Sequence, residues 1–232
     1  MEQKIMKRTA AALFAALSVF ILAGELSAQR RTKVRPPKPA PLTAAAIAQS
    51  GNFAGTLYTN KSLGFKITVP DGWKILDDSA NRATLAAGGD IIKDNKSRTY
   101  KTEVDRSLSN AMLLFQAMPL DPTNTQATGV FACGVETATI GHTLASYMEM
   151  NKKIMLSSVP GSKLIRNTYS MTAGGAVFQA VDIERATLSG AFKQTMMVTN
   201  RKGAMFFFVL TYPDDDGRKM LEEALATLTF SK

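Results

Sequence analysis

The sequence predicts an α+β fold: an antiparallel β-sheet of about six strands with a C-terminal meander, flanked by α-helices. Three observations lead there. Four β-prone runs, residues 163–171, 176–188, 191–200 and 204–212, are separated only by Ala173-Gly174-Gly175, Ser189-Gly190 and Arg201-Lys202-Gly203, and short glycine-containing turns between such runs make antiparallel neighbours. Residues 143–157 place Leu144, Tyr147, Met148, Ile154 and Met155 at helical intervals, with Glu149, Asn151 and Lys152 opposite and Val159-Pro160-Gly161 as the stop. In the last β-run Phe206, Phe208 and Leu210 alternate with Met205, Phe207 and Val209. Both of its faces are therefore apolar and must be covered, which predicts helices on both faces of the sheet.

The elements follow in order. Lys4, Lys7 and Arg8 precede an uncharged stretch of 16 residues, 9–24, which meets Glu25-Leu26-Ser27-Ala28. A charged start, an apolar run and a small-residue site are the parts of a signal peptide, cleaved after Ala28. The run is shorter than the roughly 20 residues that span a bilayer comfortably. A retained anchor is the alternative, and the cations that follow oppose passage of that flank if the segment stays uncut. Gln29 stands where a lipidated cysteine would be, so no lipid anchor is expected.

Residues 29–42 form a basic tether, expected to be disordered. They hold Arg30, Arg31, Lys33, Arg35 and Lys38 with no acid, and Pro36, Pro37, Pro39 and Pro41 favour an extended chain. The tether reads as a spacer; those five cations are also the candidate contact with an envelope protein or an anionic surface.

Residues 43–232 are expected to form one α+β domain. A short helix over 43–50 ends at Gly51. Strands follow at 57–59 and 65–69, the second with Phe65, Ile67 and Val69 alternating with Lys66 and Thr68 and closed by Pro70-Asp71-Gly72. Residues 77–106 are polar, with a helix near 79–87, a break at Gly88-Gly89 and a charged segment after Lys93; their structure and role stay open. Strands at 111–118 and 130–137 flank a polar loop. Asp214, Asp215 and Asp216 start a final helix whose buried stripe is Leu221, Ala224, Leu225 and Leu228.

Composition excludes several classes. The formal net charge is +9, but residues 1–42 hold eight of the cations and two of the acids. The remainder carries 20 basic and 17 acidic residues, without the clustered basic face of a nucleic-acid binder. One cysteine, Cys133, forbids an internal disulfide, and one histidine, His142, removes the usual metal spacings. Cys133 with His142 as thiol and base is weighed against a buried inert thiol, and the buried thiol is preferred. The three aspartates at 214–216 read as a helix cap and not a calcium loop. Gly88-Gly89 and Gly174-Gly175 lack the context of a phosphate loop and read as turns. Asn60-Lys61-Ser62 and Asn95-Lys96-Ser97 fit the glycosylation pattern, which matters only in a eukaryotic source; a bacterial one is favoured. No catalytic, cofactor-binding or metal-binding residue is assigned.

Tyr58-Thr59-Asn60, followed by Leu63-Gly64-Phe65-Lys66-Ile67-Thr68-Val69-Pro70-Asp71-Gly72-Trp73, resembles the opening of PsbP-like and DcrB-like domains. In that group a strand pair begins with an aromatic-x-Asn turn and ends in a Pro-x-x-Trp bend. The resemblance extends to the meander and the closing helix, over residues 53 to 230. It implies a non-catalytic fold, whose members act as accessory subunits of photosynthetic complexes, as nucleotide-release factors for a nuclear GTPase, or as envelope proteins of bacteria. It transfers no functional residue. The resulting expectation is an exported, periplasmic or extracellular, non-enzymatic binding or accessory protein of the cell envelope. It needs no cofactor, binds no nucleic acid and touches the membrane only through its signal peptide. The alternatives are an extracytoplasmic hydrolase and a membrane-anchored structural protein. Residues 77–106 or the tether would supply the contact surface.

Overall fold

The structure, a computed structural model, describes residues 42–94, 96–119, 129–137, 143–187 and 190–231. The signal, the tether with its five cations, the loop at 120–128 and His142 lie outside them. The meander is the organising part. Strands β7 (Lys163–Ala173), β8 (Ala176–Thr187), β9 (Gly190–Arg201) and β10 (Ala204–Tyr212) pair consecutively and antiparallel. Lys202 and Gly203 both take positive φ, 51° and 84°, to close the last hairpin, the conformation its tight turn requires.

β10 continues into β6 (Val130–Glu136), then β5 (Ala111–Met118) and the two-residue β4 (Lys74–Ile75), which completes a seven-stranded antiparallel sheet in the order β4-β5-β6-β10-β9-β8-β7. All nine residues of β10 are buried. Its two apolar faces meet different covers. Met205, Phe207 and Val209 face Tyr147, Met148 and Met155 of α4 (Leu144–Ser158). Phe206, Phe208 and Leu210 face a second, four-stranded sheet together with α1 (Ala44–Gln49) and α5 (Asp215–Ala226). That sheet holds β1 (Gly51–Ala54), β2 (Leu57–Asn60), β3 (Phe65–Thr68) and β11 (Thr229–Phe230) in the order β1-β2-β3-β11. Each fully buried phenylalanine contributes about 1.5–3 kcal/mol, and Phe65, Phe115, Phe131, Phe178, Phe206 and Phe208 form one linked aromatic layer between the sheets.

The antiparallel sheet flanked by helices is as expected, with two differences. The main sheet has seven strands, and the first strands leave it for a sheet of their own. Part of the cover on the second face is therefore β-structure instead of helix. Gly51 opens β1 and does not merely end the helix before it.

Residues 77–106 become two helices, α2 (Asp78–Lys93) and α3 (Arg98–Leu108). Gly88 and Gly89 do not break α2; both are buried within it. A Cβ on Gly89 would run into the Leu108 side chain, so the missing side chain lets α3 approach, and packing overrides the helix penalty of glycine. The caps are conventional: Asp77 Oδ1 accepts the Ala80 N–H at 2.8 Å, and Asp214 Oδ1 accepts that of Gly217 at 2.8 Å. No helix among the described residues is long and apolar enough to cross a membrane.

Candidate binding groove

Between the two sheets a groove of about 430 Å³ opens, bounded by α1, by β1 and β2, by β5 and by the first two turns of α2. Four consecutive residues of β5, Met112, Leu113, Leu114 and Phe115, line it, as do the consecutive Gly51, Asn52 and Phe53 of β1. Side chains alternate across a strand. A cavity touching consecutive residues therefore lies along the strand edge and not against one face.

The topology leaves those edges without a pairing strand. β1 is the terminal strand of its sheet. β4 pairs with β5 only at Lys74–Met118 and Ile75–Ala117, and the last bond across that edge runs from the Leu76 N–H to the Gln116 carbonyl at 2.9 Å. A register shift between Leu113 and Phe115 bends β5 where this ladder stops, as bulges do. No strand pairs with the outer edge of residues 111–115 among the described residues.

The walls are held firmly. The Asn60 side chain is wholly buried; its Nδ2 donates to the Ile47 carbonyl at 2.8 Å, and its Oδ1 accepts the Leu63 N–H at 2.9 Å and the Ser50 hydroxyl at 3.0 Å. One amide thus joins the end of α1 to the turn after β2. Burial removes Asn60 as a glycosylation acceptor. The Tyr58 ring packs on Phe53 and Phe115 with centroids 5.0 and 4.7 Å away, and burial pushes its phenol pKa up, so the hydroxyl stays neutral. A Cβ on Gly51 would collide with that hydroxyl. On the other wall Gln116 Nε2 donates to Asn81 at 2.8 Å and to Thr84 at 3.1 Å, which fixes α2 against β5. Asp78 and Arg82 add one charge of each sign. The groove mixes apolar side chains with the polar Gln49, Asn52 and Asn81, and its two charges offset each other.

Two other polar clusters are internally satisfied. Asp182 accepts from the Tyr169 hydroxyl at 3.0 Å and from Thr195 at 2.7 Å, with Arg218 Nη1 3.8 Å away; the set ties α5 to the meander. Glu136 accepts from Ser107 and from Tyr147, each at 2.7 Å, and ties α3 and α4 to β6. Arg185 differs: it is fully buried, none of its guanidinium nitrogens has a hydrogen-bond partner among the described residues, and burial lowers its pKa to about 10.

Cys133 is completely buried in the core, and burial pushes its thiol pKa well up, in line with the inert reading. Among the described residues no three His, Cys, Asp or Glu side chains are grouped to hold a metal. The contact surface expected at 77–106 reaches the groove only through the start of α2. The open edge of β5 escapes a reading of the sequence, because no local signal says that β4 stops after two residues.

No family model and no curated protein sequence matches the chain. Among solved structures it is similar to PsbP (CyanoP) from Synechocystis sp. PCC 6803, at 11% identity, 85% of this chain, 99% of that chain and TM-score 0.47. It is similar to PA94 from Pseudomonas aeruginosa, a protein of unknown function, at 14% identity, 76% and 97% coverage and TM-score 0.42. It is also similar to LpqN of Mycobacterium tuberculosis, described as involved in cell envelope biogenesis, at 15% identity, 83% and 99% coverage and TM-score 0.41. A PsbP protein thus stands among the similar structures, as the motif at Tyr58–Trp73 led us to expect.

Proposed function

We propose that the chain is an exported, non-enzymatic accessory protein of the cell envelope that works by binding a partner in the groove between β1 and β5. The groove carries this reading: its volume is that of a binding site, its lining is mainly aromatic and aliphatic, and a few polar groups stand at its rim. Export rests on the order of charged, apolar and small residues before Gln29. The tether's Arg30, Arg31, Lys33, Arg35 and Lys38 then supply a salt-sensitive attraction to anionic surfaces, weak at physiological ionic strength.

The test is recovery of C-terminally tagged full-length protein after mild in-cell crosslinking, with the bait's N-terminus determined by mass spectrometry. A start at Gln29 and a reproducible envelope partner, lost when Ala45 at the groove is changed to Tyr, is the expected result. A start near Met1 overturns export by cleavage. Partner recovery that survives Ala45→Tyr moves the contact away from the groove. Turnover of an envelope substrate by the purified protein, abolished by a point mutation, would establish an enzyme instead.

A further inference from the structure

We infer that the groove's occupant is an extended, uncharged segment of a partner protein that adds as a strand to the open edge of β5; this rests on the binding reading above. The cavity touches Met112 through Phe115 in succession, so the backbone edge of β5 forms its wall. Buried N–H and C=O groups require partners, and an extended chain satisfies a strand edge at the ladder spacing. Phe53 and Leu85, both partly exposed beside that edge, offer apolar contacts to the residues of an incoming strand, with the buried Tyr58 and Phe115 behind them. The rim charges Asp78 and Arg82 offset each other, which favours a segment without net charge.

The other long edge in the main sheet is a poorer template. β7 exposes Lys163 and Arg166, and its pairing with β8 shifts register twice between Leu164 and Tyr169. Edge charges and bulges are what blunt a strand against pairing. The chain's own tether does not suit the groove either: its four prolines lack N–H groups, and its five cations would meet a single acid there, Asp78, which Arg82 already offsets.

The experiment uses protein recovered after export and a displayed library of random uncharged heptapeptides. The selected peptide is then made with its alternate amides N-methylated, and hydrogen exchange of the protein is followed with each form. Strand addition predicts slowed exchange at amides within 111–115, a loss of at least about tenfold in affinity on N-methylation, and a similar loss in Ala45→Tyr. Ala45 is exposed on α1, so this change adds bulk without emptying the core, and an unchanged Tm checks its fold. Protection confined to β7, or an N-methylated peptide that binds as well as its parent, overturns the inference. So does binding of a small apolar dye with no peptide selected. Protection of 111–115 on concentrating the protein alone makes the occupant a second copy and overturns it too. The crosslinked partner is scored separately, so strand addition can fail while groove binding stands.

Discussion

Asn60 Nδ2 donates to the Ile47 carbonyl at 2.8 Å, and this bond holds the last turn of α1 against the end of β2. The same amide accepts from Leu63 and Ser50, so the aromatic-x-Asn motif is a structural knot behind one wall of the groove. Replacing Asn60 by Ala leaves buried backbone groups unpaired and should cost about 2–4 kcal/mol. Urea unfolding would show it as a lower midpoint at an unchanged slope.

Gly134 of β6 sits under the Phe207 ring, and a Cβ there would meet both that ring and the Met112 carbonyl. Gly134→Ala should destabilise by about 1–3 kcal/mol through overpacking. The neutral control is Gly175→Asn, whose site is open and lies at positive φ, 79°, where asparagine is tolerated. A thermal scan of the pair separates crowding from loss of glycine as such.

Arg185 is a buried cation without a hydrogen-bond partner among the described residues. Arg185→Met keeps the apolar stem and removes the charge, so stability should rise by about 1–4 kcal/mol. A fall in the unfolding midpoint would show instead that the guanidinium is held by a favourable contact.

Tyr169 gives a pH prediction. Burial, then the neighbouring Asp182 carboxylate, pushes its phenol up to about 12 from 10.0. A folded pKa raised above the unfolded value means stability that is complete below pH 10 and declines as pH rises towards 12. Arg185 acts with the opposite sign across that alkaline range, and Tyr58, Tyr147 and Tyr212 titrate high as well. The informative quantity is therefore the difference between wild type and Tyr169→Phe. The variant lacks the hydrogen bond to Asp182 at neutral pH, and its deficit should shrink between pH 10 and 12 in alkaline unfolding curves.

Cys133 should be silent to a thiol reagent in the native protein and should release one equivalent per chain in denaturant, because its raised pKa and complete burial deny both thiolate and access. Rapid native labelling would mean that the sheet opens around β6.

What the sequence by itself determined is local and periodic. The bounds of β10, the cap at Asp214 and the stripe of α5 follow from alternation, helical spacing and capping chemistry, each set within a few residues; the stripe of α4 follows too, except that Asn151, expected opposite it, is buried with it. The two apolar faces of β10 even required two covers. What covers the second face was a tertiary decision: the strands around Tyr58 and Phe65 pair with each other and with Phe230, far along the chain, and no local pattern encodes such a pairing. Gly88 and Gly89 were legible as a break, but α3 packs against the helix at Gly89. The groove belongs to the same class, since an edge is open only by virtue of where its neighbours stop. Hydrophobic pattern says which side of a strand is buried; long-range pairing alone says which of its edges has no partner.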